Sequence, residues 1–190
     1  MATGTANLAV VTATTDLRFR PLTRSDLPLV VRWQHSEAAR PWFGGGLSLE
    51  QAIERYGPRI DGVDPVRMYV ALLGGRPVGY AQEYAAPPPP VPAGAAPPGE
   101  PVGIDYLLGE DELVDHGVGT ALIGAFIDRV VRRDHPSATH VVARPDHRNR
   151  RSIRALEKNG FVAGLWVDSV ARLGEPPITE IVCTLATLTA

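Results

Sequence analysis

The chain has 190 residues, 44% apolar and 21% charged, with 21 acidic against 19 basic side chains and a formal net charge of -2. That size and balance suit a globular domain with its own core, and they carry neither a basic footprint for nucleic acid nor an apolar run of membrane length. The one cysteine, Cys183, has no partner for an internal disulfide, so a reducing, cytoplasmic setting is expected.

Residues 1–15 are small and apolar but lack a basic start and a signal-like apolar run, and read as a flexible tail before one domain over residues 16–190. Leu17-Arg18-Phe19-Arg20 alternates as a half-buried strand does. Thr23 with Asp26, and Ser48 with Gln51, are capping boxes that open helices running through Trp33 and towards Ile60. Trp42-Phe43-Gly44-Gly45-Gly46 between them reads as a loop, and Trp33 as a core residue. Apolar runs at 68–73 and 77–82 flank Gly74-Gly75, a hairpin turn signal. Prolines crowd residues 86–101, a surface loop within the domain, since neither flanking half has strands enough to close a core. A strand over 102–108 and a glycine-bearing turn over 115–120 lead into a helix ending near Arg133. A strand over 139–143, a helix over 149–159 stopped by Gly160, and strands around 161–169 and 178–185 complete an α/β domain on a mixed sheet.

Two segments carry chemistry. Gly117-Val118-Gly119-Thr120 lies at a strand-to-helix junction, where successive backbone N–H groups can face a phosphate. Alone it also fits an ordinary glycine-rich turn; no Walker lysine follows, and no full G-x-G-x-x-G is present. The histidines are scattered, so no metal site is expected. The second segment runs Arg144-Pro145-Asp146-His147-Arg148-Asn149, then Arg151 and Ile153-Arg154-Ala155-Leu156-Glu157-Lys158-Asn159-Gly160-Phe161.

Together the two resemble the C-terminal signature of the GNAT superfamily of N-acetyltransferases. Within it, Trp42-Phe43-Gly44-Gly45, Tyr69-Val70-Ala71, Gly79 to Tyr84 and Gly103-Ile104-Asp105 are similar to segments of aminoglycoside 6′-N-acetyltransferases. Pro145-Asp146-His147-Arg148-Asn149 also resembles siderophore lysine N-acyltransferases, although those usually carry histidine near the position of Asp105. A non-catalytic, CoA-binding GNAT domain is the third alternative.

The resemblance implies a GNAT fold, with a mixed central sheet, flanking helices and a V-shaped acetyl-CoA cleft between the parallel strands ending at Gly109 and Ala143. It assigns the pantetheine to backbone groups of Leu107, Leu108 and Gly109, and the pyrophosphate to His116, Gly117, Val118, Gly119 and Thr120. Asn149 would meet the pantetheine arm. Asp105 matches a proposed general base. Only a neutral amine attacks a thioester, so a carboxylate that holds the ammonium and takes its proton is what the chemistry needs. Transfer is direct, with no covalent enzyme intermediate and no metal. Trp42, Phe43, Tyr69, Glu83, Tyr84 and Glu175 match positions lining a pocket for an amino sugar or aminoglycoside, as aromatic faces and carboxylates suit such a cation. Relatives include monomers and homodimers, and neither nucleic acid nor membrane is implied as a partner.

Three departures bear on the substrate. Leu156 stands where relatives usually have a tyrosine near the departing sulfur, Arg144 replaces an acid, and the proline segment replaces an acidic loop. An ammonium–carboxylate pair about 4 Å apart is worth roughly 4 kcal/mol gross at an intermediate dielectric, so losing such acids disfavours polycations. The expected substrate therefore carries fewer amines, or a carboxylate for Arg144; a kasugamycin-type aminoglycoside acetylated at a 2′-amine meets both conditions.

Overall fold

The computed structural model describes residues 16–85, 100–168 and 178–186. The expected tail, most of the proline segment and Glu175 lie outside the described residues.

In chain order the strands are β1 (Leu17–Pro21), β2 (Arg67–Leu73), β3 (Arg76–Ala85), β4 (Pro101–Leu108), β5 (His140–Ala143), β6 (Val162–Asp168) and β7 (Thr179–Ala186). The helices are α1 (Leu27–Gln34), α2 (Leu49–Ile60), α3 (Val118–Phe126) and α4 (Arg150–Lys158). A wide turn over Ile127–Val131 and a final turn over Arg132–Asp134 prolong α3. The strands form one sheet in the order β1-β2-β3-β4-β5-β7-β6. Every neighbouring pair is antiparallel except β4 and β5.

The local signals act as expected. Ser48 Oγ accepts from Gln51 N–H at 3.1 Å while Gln51 Oε1 accepts from Ser48 N–H at 2.8 Å, closing the box that starts α2. The Thr23 box opens a single 3-10 turn, Arg24–Asp26, before α1 begins, because Pro28 suits the first turn of a helix. Asp26 is held there by Thr23 N–H at 2.9 Å and by both terminal nitrogens of Arg20 at 2.7 Å.

Helices cover both faces of the sheet. On one, Leu122, Ile123, Phe126, Ile153 and Leu156 from α3 and α4 pack on Leu17, Ala71, Val102 and Ile104. On the other, Leu27, Val30, Trp33, Ala52 and Tyr56 from α1 and α2 pack on Met68, Val70, Tyr80 and Leu107. Trp33 is fully buried, as expected of a core residue, and its indole N–H donates to Glu110 Oε1 at 2.8 Å.

The parallel pair is short. Pro101, Val102 and Gly103 register with His140, Val141 and Val142, and from Ile104 onward β4 has no partner on that side. Two strands held together at one end and parting at the other leave a V-shaped opening, walled by α3 and α4.

Candidate active site

Two cavities meet at this opening. The first, about 290 Å³, lies against the start of α3 and is lined by Leu108, Gly117, Gly119, Thr120, Asn149 and Arg151 among others. The second, about 490 Å³, lies on the α2 side and includes Tyr56, Gln82, Tyr84, Asp105, Arg144 and Glu180. Together they are of the size that holds a small-molecule ligand.

The first cavity is built from a helix start. Gly117 caps α3 with φ of 80°, a left-handed conformation that a residue with a Cβ adopts at a cost. The first α3 bond of the ladder is Ala121 N–H to Gly117 C=O, so the N–H groups before it have no acceptor within the helix. A Cβ on Gly117 or Gly119 would meet no protein atom within 4 Å, so the turn faces open space. Arg151, Arg154 and Lys158 from α4 line the same cavity, and Arg151 pairs with Asp115 at 3.0 Å. Unpaired amides, a bare backbone and three cations fit an anionic group such as a pyrophosphate. His116 is exposed, with Nδ1 2.8 Å from its neighbour Val114 C=O.

Asn149 caps α4: its Oδ1 accepts from Ser152 N–H at 3.1 Å, which leaves Nδ2 as its group for a ligand. The three residues at the end of β4 are not equivalent. Gly109 N–H donates to Val78 C=O at 2.9 Å, and Leu107 lies two residues back in the same antiparallel register with β3. Backbone groups alternate sides along a strand, so those of Leu107 and Gly109 point to β3, while those of Tyr106 and Leu108 face the opening. The expectation that all of 107–109 present backbone groups to a ligand is corrected to Leu108, joined by Tyr106.

In the second cavity Asp105 sits on the wall. Gln82 faces it across β3 and β4, in register, and donates Nε2 to Asp105 Oδ2 at 2.6 Å. Arg59 Nη1 donates to Gln82 Oε1 at 2.9 Å. The Asp105 surface opens to the cleft while protein surrounds it elsewhere. Desolvation therefore raises its pKa above the ordinary carboxylate value, against the lowering effects of the Gln82 bond, Arg59 and a hydrogen bond with Tyr84. Tyr84 lies over Gly103, where a Cβ would run into its ring. Burial and the Asp105 charge raise the Tyr84 phenol, which stays protonated. Trp42 and Phe43 border both cavities, on the turn Arg40–Trp42 and the loop after it, and Phe43 packs on Tyr80 with ring centroids 6.4 Å apart.

Tyr69 and Glu83 do not join this site, contrary to expectation. Successive strand residues point to opposite faces, so Tyr84 in the cleft places Glu83 on the α3 face. There Glu83 is fully buried against Arg67 at 2.7 Å and His135, and Tyr69 Oη donates to Asp134 at 2.9 Å. Arg144 does line the cleft, but it is paired with Glu180 at 2.8 Å, so its charge is already met within the protein. Burial raises the Glu180 pKa, with Arg144 opposing. Leu156 is fully buried, and Cys183 is buried in β7, where desolvation lifts its thiol pKa to about 11.

Sequence reasoning did not name Gln82, Arg59, Arg55, Tyr106, Ser152 or Glu180 as site residues. The phase of Gln82 with Tyr84 along the strand was the signal that could have placed it on the cleft face; its position opposite Asp105 is set by the register of β3 on β4. Among the described residues, no group of three or more His, Cys, Asp or Glu side chains could hold a metal, and no helix is long and apolar enough to cross a membrane.

A glycine turn beneath a helix start and a carboxylate on the second cavity, either side of a splayed parallel pair, describe a group-transfer enzyme. Residues 23–169 match the acetyltransferase (GNAT) domain family. The chain is 31% identical over 168 residues to aminoglycoside N(6′)-acetyltransferase type 1 of Klebsiella pneumoniae, covering 83% of this chain and 80% of that protein. It also resembles the crystal structure of aminoglycoside acetyltransferase AAC(6′)-Ib with coenzyme A, with a TM-score of 0.71, 26% identity, and coverage of 90% of this chain and 95% of that one. The same enzyme with coenzyme A and kanamycin matches with TM-score 0.71, 26% identity and the same coverage, 90% and 95%. The chain belongs to the GNAT acetyltransferase family, and is an acetyl-CoA-dependent N-acetyltransferase.

Proposed function

We propose that this protein acetylates an amine of an aminoglycoside or related amino sugar, inactivating an antibiotic, with Asp105 receiving the amine's proton. The single observation that carries the reading is Asp105 itself: a carboxylate with a raised pKa on the wall of the cleft, fixed by Gln82 and beside Tyr84. An ammonium entering the cleft is attracted by that carboxylate and gives up a proton to it, and the neutral amine attacks the thioester carbonyl. The backbone N–H groups of Tyr106 and Leu108 are the donors suited to polarise that carbonyl, the turn from Gly117 to Thr120 takes the pyrophosphate, and Asn149 meets the pantetheine. Acetyl-CoA supplies the activated acetyl group when bound.

The cleft carries four guanidinium groups, Arg55, Arg59, Arg144 and Arg148, against the carboxylates Asp105, Asp146 and Glu180. That balance supports a substrate with fewer ammonium groups than kanamycin, of the kasugamycin type, more than a polycation. The Arg144–Glu180 pair tempers this, since Glu180 restores one acid beside the cation. The test is release of free CoA thiol from acetyl-CoA with kanamycin, kasugamycin and a hydroxylysine derivative in parallel. Turnover of kasugamycin well above kanamycin supports the finer reading, and turnover of kanamycin alone leaves only the aminoglycoside part. Acylation of the lysine derivative alone would overturn both.

A further inference from the structure

The two cavities share a narrow set of side chains: Trp42, Phe43, Tyr106, Asn149 and Ser152 line both. A thioester whose phosphates lie at the Gly117 turn, and whose acyl carbon meets an amine beside Asp105, has its sulfur at that boundary. When the carbon–sulfur bond breaks there, the electron pair leaves on sulfur, and the thiolate needs a hydrogen-bond donor or it departs uncompensated into a walled cleft. Asn149 keeps Oδ1 on the α4 cap and its donor Nδ2 is assigned to the pantetheine arm, Trp42 stands on a solvent-facing turn, and Phe43 has no donor. Tyr106 and Ser152 remain. Their hydroxyl oxygens are 2.7 Å apart, across the opening from β4 to α4.

Two hydroxyls joined by one hydrogen bond have one proton to spare. If Ser152 donates to Tyr106 Oη, the phenolic proton is the free one, and a phenol is a stronger donor than an alcohol. Burial raises the Tyr106 pKa, so the phenol keeps its proton throughout the working range.

We propose that Tyr106, oriented by Ser152, donates a hydrogen bond to the coenzyme A sulfur as the thioester breaks. No tyrosinate forms. Asp105, open to the cleft, passes the ammonium's proton to solvent before the attack. The neutral amine nitrogen then bonds to the acyl carbon and gives its second proton to Asp105, and the carbon–sulfur electron pair becomes a thiolate. That thiolate is held by the Tyr106 O–H until solvent protonates it or it leaves. The inference rests on acetyl transfer from acetyl-CoA but not on the identity of the acceptor.

It can therefore be tested on the whole protein without an acceptor. Binding of CoA and of desulfo-CoA is titrated by calorimetry from neutral to alkaline pH. In the wild type, affinity for CoA should rise with pH relative to desulfo-CoA, reaching about tenfold or more, the value of a hydrogen bond to a charged group. Tyr106→Phe should abolish that rise while desulfo-CoA binds as before, and Ser152→Ala should reduce it. With a working acceptor, Tyr106→Phe should lower kcat with little change in KM for acetyl-CoA. A pH-dependent preference for CoA that survives in Tyr106→Phe overturns the proposal. So does loss of desulfo-CoA binding in that variant, which would make the ring a packing element only. A wild type that binds neither ligand would instead count against acetyl transfer itself.

Discussion

The side-chain amide of Gln82 stands between Arg59 and Asp105, accepting from the guanidinium at 2.9 Å and donating to the carboxylate at 2.6 Å. Because Arg59 can only donate, it fixes which end of the amide faces it, and so which end meets Asp105. Arg59 is itself anchored by Asp64 at 3.3 Å and lies over the Tyr56 ring, 5.5 Å from its centroid. A residue of α2 thus sets the hydrogen bonding of a carboxylate on β4.

Replacing Gln82 by leucine removes a bond that lowers the Asp105 pKa and leaves desolvation less opposed. With Asp105 as the proposed proton acceptor, activity follows its ionised form, so the acid limb of the pH–rate profile should move to higher pH in Gln82→Leu. At alkaline pH, where both proteins are ionised, the rates should converge. A limb that stays put would mean that the amide does not tune this group.

Asp105→Asn should lower kcat/KM by about a hundredfold or more, the usual worth of a positioned general base. The same variant should be more heat-stable at neutral pH. With its pKa raised in the folded state, Asp105 favours folding at low pH, and that contribution is lost as pH rises through the folded pKa. At neutral pH the ionised group is therefore a cost that asparagine removes, while its amide oxygen can still accept from Gln82. A melting scan showing Asp105→Asn less stable than wild type at pH 7 would contradict the desolvated placement.

How far such relationships were legible depended on the range of the signal. The two capping boxes, the Gly74-Gly75 hairpin and the Gly160 stop are local, and each element they announce is present within a residue or two. Naming Glu83 and Tyr84 as pocket neighbours treated the chain as a string. On a strand the two alternate, and the parity that brings Tyr84 into the cleft drives Glu83 to Arg67 and His135. Glu180 was beyond local reading. It meets Arg144 because β7 inserts between β5 and β6, a pairing that no nearby residue announces.

Leu156 is fully buried among the α3, α4 and sheet side chains, so Leu156→Ala should cost about 2–5 kcal/mol in denaturant unfolding, as a large-to-small core change does. Leu156→Tyr should destabilise by overpacking rather than speed transfer. A faster and equally stable Leu156→Tyr would show that the helix has room for a donor there.

Asp26 gives an acid-range prediction away from the cleft. Its hydrogen bonds to Arg20 hold its pKa down to about 2, with burial opposing. A depressed carboxylate contributes stability above its unfolded pKa and loses it as pH falls through the folded one, so the loss should run from about pH 4 towards pH 2. Asp26→Asn should cost about 1–2 kcal/mol at neutral pH, allowing for the solvent-screened partner, and should flatten that acid limb of stability.

Arg144 and Glu180 form a pair whose halves pull on a substrate in opposite directions. Arg144→Ala removes a cation and the partner that lowers the Glu180 pKa, and turns the Glu180 carboxylate towards the cleft. The ratio of kcat/KM for kanamycin to that for kasugamycin should therefore rise. Glu180→Gln should move the ratio the other way, since it frees the guanidinium for a substrate carboxylate. Against that rise, Glu180 without its partner binds a proton more readily, so the Arg144→Ala effect should be larger at pH 8 than at pH 6. Measured ratios that ignore both substitutions would place substrate selection elsewhere in the cleft, with Asp105, Tyr84 and the Trp42–Phe43 turn as the remaining contacts.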